Sequence, residues 1–161
     1  MKNKMHTIFR ICGIVGISAL LIFGLSACWK GMTYAEAFKR NWEIDLPENM
    51  ERLFYKSDSQ GLAGQGDGMR YAVHVFEVEP TDFLTDFSRE KDEKFEESVN
   101  NHISWTPLEI GEGFLPDWET GYYWKHVGKH YREVEDSGYY AYNLYMIFYP
   151  DSLRLICCEC L

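Results

Sequence analysis

Positive charge is scarce in this chain. It holds 16 Lys and Arg against 25 Asp and Glu, a net charge of −9. A surface of that sign repels nucleic acid and anionic headgroups, so charge holds neither. Cationic peptides, polyamines and divalent ions suit the sign better. Several chemistries are missing as motifs. There is no Gly-x-Ser-x-Gly elbow to present a serine nucleophile, and no histidine is followed by glutamate as a zinc-protease helix requires. Internal repeats, coiled-coil heptads and low-complexity segments are absent too. Five cysteines are present, but the three near the end, Cys157, Cys158 and Cys160, are an odd number and exclude a complete disulfide framework among themselves. At 161 residues the expectation is one domain.

What is there begins with an ordered N-terminus. "MKNKMHTIFR" carries Lys2, Lys4 and Arg10 and no acid; "ICGIVGISALLIFG" comes next without a charge, and "LSAC" closes at Cys28. That order is the order of a secretory signal peptide. "LSAC" resembles the lipobox of bacterial lipoproteins. The resemblance implies a diacylglycerol on the Cys28 thiol and a cut just before it. The division is then a signal peptide over 1–27, a lipidated tether over 28–32 and a single extracytoplasmic domain over 33–161. The alternative is an uncut anchor over 11–29, about long enough for a ~30 Å bilayer core. Gly13, Gly16, Ser18, Gly24 and Ser26 dilute that stretch, and it gives Cys28 no role. Under both membrane-held readings the domain stands at the extracytoplasmic face of the cell membrane; ordinary secretion is the remaining alternative. A five-residue tether reaches about 17 Å, so the domain stays close to the surface. Removing 1–27 takes three bases and no acid, leaving 13 against 25 and a net charge of −12. Lipid, not charge, is the expected link to the bilayer.

The domain reads as α+β: an antiparallel sheet of about five strands with a helical region on one face. "TYAEAFKRNW" predicts a short helix, with Thr33 and Glu36 at capping-box spacing and Tyr34, Phe38 and Trp42 on one face. Two or three turns are marginal alone, so that stripe must dock. "NMERLFYKSDS" fits a helix turn or a strand. "MRYAVHVFEVE" alternates as a strand, which favours a hairpin joined by "GLAGQGDG". After Pro80, "TDFLTDFSREKDEKFEESVNNHI" predicts the main helical region, in two shorter helices jointed near Ser88, with Asp82 and Asp86 at its start. "YYWKHVGKHYREV", "YYAYNLYMIFY" and "LRLICCECL" read as strands, the last two joined by a "PDS" turn. In that final strand Cys158 and Cys160 share one face and Cys157 takes the other, as small apolar residues.

Four constellations bear on chemistry. Gly61, Gly64, Gly66, Gly68 and Asp67 invite comparison with phosphate and calcium loops. The segment after Gly68 is a strand without a Lys-Ser/Thr pair, and the acids miss the calcium-loop spacing, so a hairpin turn closed by Asp67 is expected. His126 and His130 are four apart, with Glu133 and Glu135 behind them; on a strand the two imidazoles share a face but stand about 13 Å apart, which disfavours a shared metal. Acid pairs are plentiful: Glu109 and Glu112, Asp117 and Glu119, Glu133 and Glu135. Spacing alone assigns none of them a catalytic role. The candidate binding surface is aromatic: Trp105, Trp118, Tyr122, Tyr123 and Trp124. Such rings stack on sugars or anchor a protein partner when exposed, and fill a core when not.

"DLPENMERLFYKSDSQGLAGQGDGMRYAVHVFE" and the closing "FYPDSLRLICCEC" are similar to a group of small uncharacterised lipoproteins of Gram-positive bacteria, through the "LP" break, the "GDG" before an aromatic strand and the final hairpin. That resemblance implies no activity and carries over no catalytic residue. The expectation is a membrane-anchored, extracytoplasmic binding module with no catalytic residue, cofactor or metal assigned, with a cationic or protein partner at the envelope. The alternatives are an envelope hydrolase using paired carboxylates and a metal-binding accessory protein built on His126, His130 or the terminal cysteines.

Overall fold

The three inner strands of the sheet alternate between two buried, largely apolar sets of side chains, and each set has a helix to meet. The computed structural model describes residues 32–58, 68–130 and 141–161. The signal peptide, Cys28 and the glycine-rich stretch 59–67 with Asp67 lie outside the described residues. Strands β1 (Met50–Ser57), β2 (Met69–Phe76), β3 (Tyr123–His130), β4 (Ala141–Tyr149) and β5 (Arg154–Cys160) form one sheet in the order β1-β2-β5-β4-β3. Every neighbouring pair is antiparallel. Helices α1 (Tyr34–Trp42) and α2 (Glu93–Trp105) complete the expected α+β domain.

The ambiguous segment after Pro47 is a strand, and it pairs with β2 from Met50↔Phe76 to Ser57↔Arg70. β4 and β5 pair from Tyr149↔Arg154 to Asn143↔Cys160, as their turn residues predict. β5 also pairs with β2, so the last strand of the chain occupies the centre of the sheet.

Helix α1 packs Phe38 and Trp42 on the face formed by Ala72, Leu144, Met146, Phe148, Leu155 and Cys157. Helix α2 packs Phe95 and Val99 on the opposite face, against Tyr71, Val73, Tyr145, Ile147, Ile156 and Cys158. Each of these large apolar side chains contributes about 1.5–3 kcal/mol by leaving water. The cysteines follow the expected alternation: Cys157 lies on one face and Cys158 on the other, both buried, and none of Cys157, Cys158 and Cys160 is in a disulfide.

The helical run expected after Pro80 forms only in its second half. Residues 81–86 are turns, and the helix begins after Asp92. Leu84 and Phe87 belong to the α1 face, whereas Phe95 and Val99 belong to the α2 face. One helix cannot serve both, so the chain changes sides between them. It does so around the β3 edge, where Ser88 N donates to Trp124 O at 2.8 Å and Trp124 N to Ser88 O at 2.9 Å. Asp92 then caps α2, its Oδ1 accepting from Lys94 N at 2.9 Å and Phe95 N at 3.1 Å.

Asp92→Ala is expected to lower stability by about 1 kcal/mol, the usual value of an N-cap. Asp82→Ala, at a position where the sequence predicts a helix start but none forms, should stay within about 0.5 kcal/mol. Denaturant unfolding of both variants checks this.

Candidate functional site

The aromatic residues picked out by the sequence divide into three sets. Trp118, Tyr122 and Trp124 converge on Phe95 and pack α2 to the sheet. Trp124 stacks on Phe95 with centroids 4.4 Å apart, and Trp118 meets Phe95 edge-on at 6.4 Å and Tyr122 at 5.3 Å. Their polar atoms are also engaged. Trp118 Nε1 donates to Asn100 Oδ1 at 3.0 Å, Trp124 Nε1 to Glu90 O at 2.8 Å, and Tyr122 Oη to Glu96 Oε1 at 2.6 Å. Tyr123 points to the other face, with the Arg89 guanidinium 4.7 Å above its ring. Trp105 stands apart at the end of α2, 86% exposed and about 15 Å along the helix from Phe95.

His126 is on β3 as expected. Its ring stacks on Tyr145 at 4.7 Å and its Nε2 lies 2.9 Å from Asn143 Oδ1. Among the described residues, no three His, Cys, Asp or Glu side chains are placed to hold a metal ion. Asp117 caps a local turn: its carboxylate accepts from Thr120 Oγ1 at 2.7 Å and Glu119 N at 3.1 Å. The Thr120 hydroxyl, and then the Glu119 amide, hold its pKa below the usual carboxylate range. Burial pushes the Cys157 and Cys158 thiols well above their ordinary value, which suppresses the thiolate a nucleophile or ligand needs.

Sequence reasoning missed a polar cluster beneath α1. Arg70 and Glu159 are directly opposed on β2 and β5, both buried, with Arg70 Nη1 3.8 Å from Glu159 Oε2. Trp42 on α1 donates its indole N–H to the same carboxylate oxygen at 2.7 Å. His74, four residues along β2 on the same face, is 1% exposed, and its ring lies 5.4 Å from that of Tyr34. Both His74 ring nitrogens, Tyr34 Oη and Glu159 Oε1 are buried without a hydrogen bond. Burial lifts the Glu159 carboxyl above its usual range, against the pull of the Trp42 indole and the Arg70 charge. Burial, reinforced by the Arg52 charge, lowers His74 to about 4, so the folded protein keeps it neutral. A signal existed in "LICCECL": Glu159 shares the apolar face of Cys157, and a carboxylate there requires a buried partner.

A second feature lies at the open end of the β1–β2 hairpin. Because Met50 opposes Phe76, the segments before β1 and after β2 lie side by side. They enclose an open cleft of about 610 Å³ between residues 45–49 and 79–83. Leu46 and Phe83 contribute apolar surface, Asp45, Glu48, Glu79 and Asp82 stand around it, and no basic residue lines it. Lys39 reaches Asp45 from outside at 2.6 Å. Among the described residues, no helix is long and apolar enough to cross a membrane. No family model, curated protein or solved structure matches the chain.

The buried cluster generates two predictions. Glu159→Ala leaves the Arg70 charge without its opposed carboxylate and should cost about 3–5 kcal/mol, measured by denaturant unfolding. For His74 the folded value lies below the unfolded one. As pH falls from about 6.5 to about 4, the unfolded chain therefore takes up a proton that the folded chain refuses, and stability is lost across that window. The stability difference between the natural chain and His74→Phe should therefore shift against the natural chain as pH drops from 6.5 to 4, and flatten outside that range.

Proposed function

We propose that this chain is a lipid-anchored extracytoplasmic binding module without catalysis, and that its partner is a cationic peptide segment at the envelope. The observation that carries the reading is the cleft between 45–49 and 79–83, where four carboxylates surround apolar surface, no basic residue is in the lining, and only Asp45 is met by a base, Lys39 from outside. Carboxylates there meet Lys or Arg heads while Leu46 and Phe83 meet their aliphatic stems. The net charge of −12 after removal of 1–27 adds long-range steering of the same sign. The lipobox-like "LSAC" supports attachment through Cys28, with a tether too short to hold the module far from the bilayer.

Binding of an unstructured oligolysine peptide to the full chain in detergent, measured by calorimetry, tests the cleft. Affinity should fall about tenfold in the Asp45→Asn, Glu48→Gln, Glu79→Gln, Asp82→Asn variant, and fall with added salt as the Debye length shrinks to about 8 Å at 0.15 M. Equal affinity in that variant overturns the assignment. Radioactive palmitate labelling, lost in Cys28→Ala together with membrane attachment, tests the anchor; labelling unchanged by Cys28→Ala overturns it.

A further inference from the structure

The two edges of the sheet are treated differently. β3 is bridged on its outer side by Ser88. β1 pairs with β2 alone, and no described residue forms a ladder on its outer side. β1 is eight residues long, with Leu53 46% and Tyr55 38% exposed. Among the described residues this edge is open, and an open edge of that length is a template for another strand.

The sequence of β1 selects which strand. Laid antiparallel against itself about the Leu53–Phe54 step, "MERLFYKS" sets Glu51 opposite Lys56, Arg52 opposite Tyr55 and Met50 opposite Ser57. The first match is an opposite-charge pair and the second a cation facing a ring, both favourable across strands. Arg52 already takes this kind of contact within its own strand, 5.1 Å from the Tyr55 centroid.

In a regular strand this register fails, because residues an odd number apart point to opposite faces. Glu51 and Lys56 are five apart, and Arg52 and Tyr55 three. The register shift between Arg52 and Phe54 removes the conflict. Met50 and Arg52 oppose Phe76 and His74, and Tyr55 opposes Ala72, all on the α1 face. Glu51 opposes Val75 and Lys56 opposes Tyr71, on the α2 face. With the bulge in place, Glu51 and Lys56 share one face and Arg52 and Tyr55 share the other.

We propose that β1 pairs antiparallel with β1 of a second copy of this chain, joining two five-stranded sheets into one of ten strands. The two-fold axis is normal to the sheet at Leu53 and Phe54. Although the chain is acidic, this strand is not, carrying Glu51 against Arg52 and Lys56. The axis leaves both α1 helices on the same face of the joined sheet. On the lipid-anchor reading those helices follow two tethers in one bilayer, and confinement there raises the effective concentration of one edge for the other.

The test is cross-linking of the full chain in lipid vesicles. Positions 51 and 56 are about 17 Å apart along one strand, beyond disulfide reach, but adjacent across the two-fold axis. Mild oxidation of the Glu51→Cys, Lys56→Cys double variant should give a covalent dimer that neither single variant nor the unchanged chain gives. Lys56→Glu alone should lower dimer association about tenfold, since it places two like-charge pairs at the axis, and Glu51→Lys added to it should restore association. A double-cysteine variant that cross-links no better than the single variants, with monomers alone in sedimentation at every concentration, overturns the proposal. Cys28→Ala separates the two readings: detergent-solubilised protein that still cross-links supports the strand pairing whether or not the anchor is lost.

Discussion

The strand at the centre of the sheet, β5, has no face to give to water. Leu155, Cys157 and Glu159 point under α1, and Ile156 and Cys158 point under α2, all buried. A strand enclosed in this way needs apolar cover on both sides, and the rest of the fold supplies it. It explains why the chain after β2 crosses from one face to the other, placing Leu84 and Phe87 on the first side and Phe95 and Val99 on the second. It also explains the chemistry around Glu159. A carboxylate in that position is tolerable because Arg70 is its direct partner across the ladder and Trp42 donates to it from above.

Much of the architecture was legible along the chain, and the missing parts share a cause. Strands declare themselves through alternation of β-branched and aromatic residues, and the β4–β5 turn through Pro150 and Asp151. The α1 stripe of Tyr34, Phe38 and Trp42 is a local pattern at helical spacing. The start of α2 is not local in the same sense. Asp82, Asp86 and Asp92 are equally good caps by chemistry, and only the need to change faces selects Asp92. The Arg70–Glu159 pair joins strands from distant parts of the sequence, so no window of residues contains it. The aromatic group was visible but not its role. Trp118, Tyr122 and Trp124 face Phe95, and this is set by where α2 lies, not by their own spacing.

Charge and edges describe the outer surface of the molecule as burial describes its interior. Acidic side chains gather at the open end of the β1–β2 hairpin because that pairing aligns two loops, each carrying two acids. The same hairpin leaves its first strand on the border of the sheet, where a bulge brings its charges and rings into a self-matching order. One hairpin therefore supplies both proposed binding surfaces, while the far edge of the sheet is bridged by Ser88 at Trp124.

The placement of β5 also sets the order in which the molecule is completed. Its strand is the last in the chain, yet β2 on one side and β4 on the other each depend on it for a ladder. A chain emerging from its N-terminus can form the β1–β2 and β3–β4 pairs early, as two separate ribbons with bare inner edges. They become one sheet only when Arg154–Cys160 is inserted between them. Any process that delivers the N-terminus first, across a ribosome or a membrane, therefore holds this sheet unfinished until Arg154–Cys160 arrives. Such delay keeps a polypeptide loose enough to be threaded, and it places the risk of misassembly on the two waiting edges.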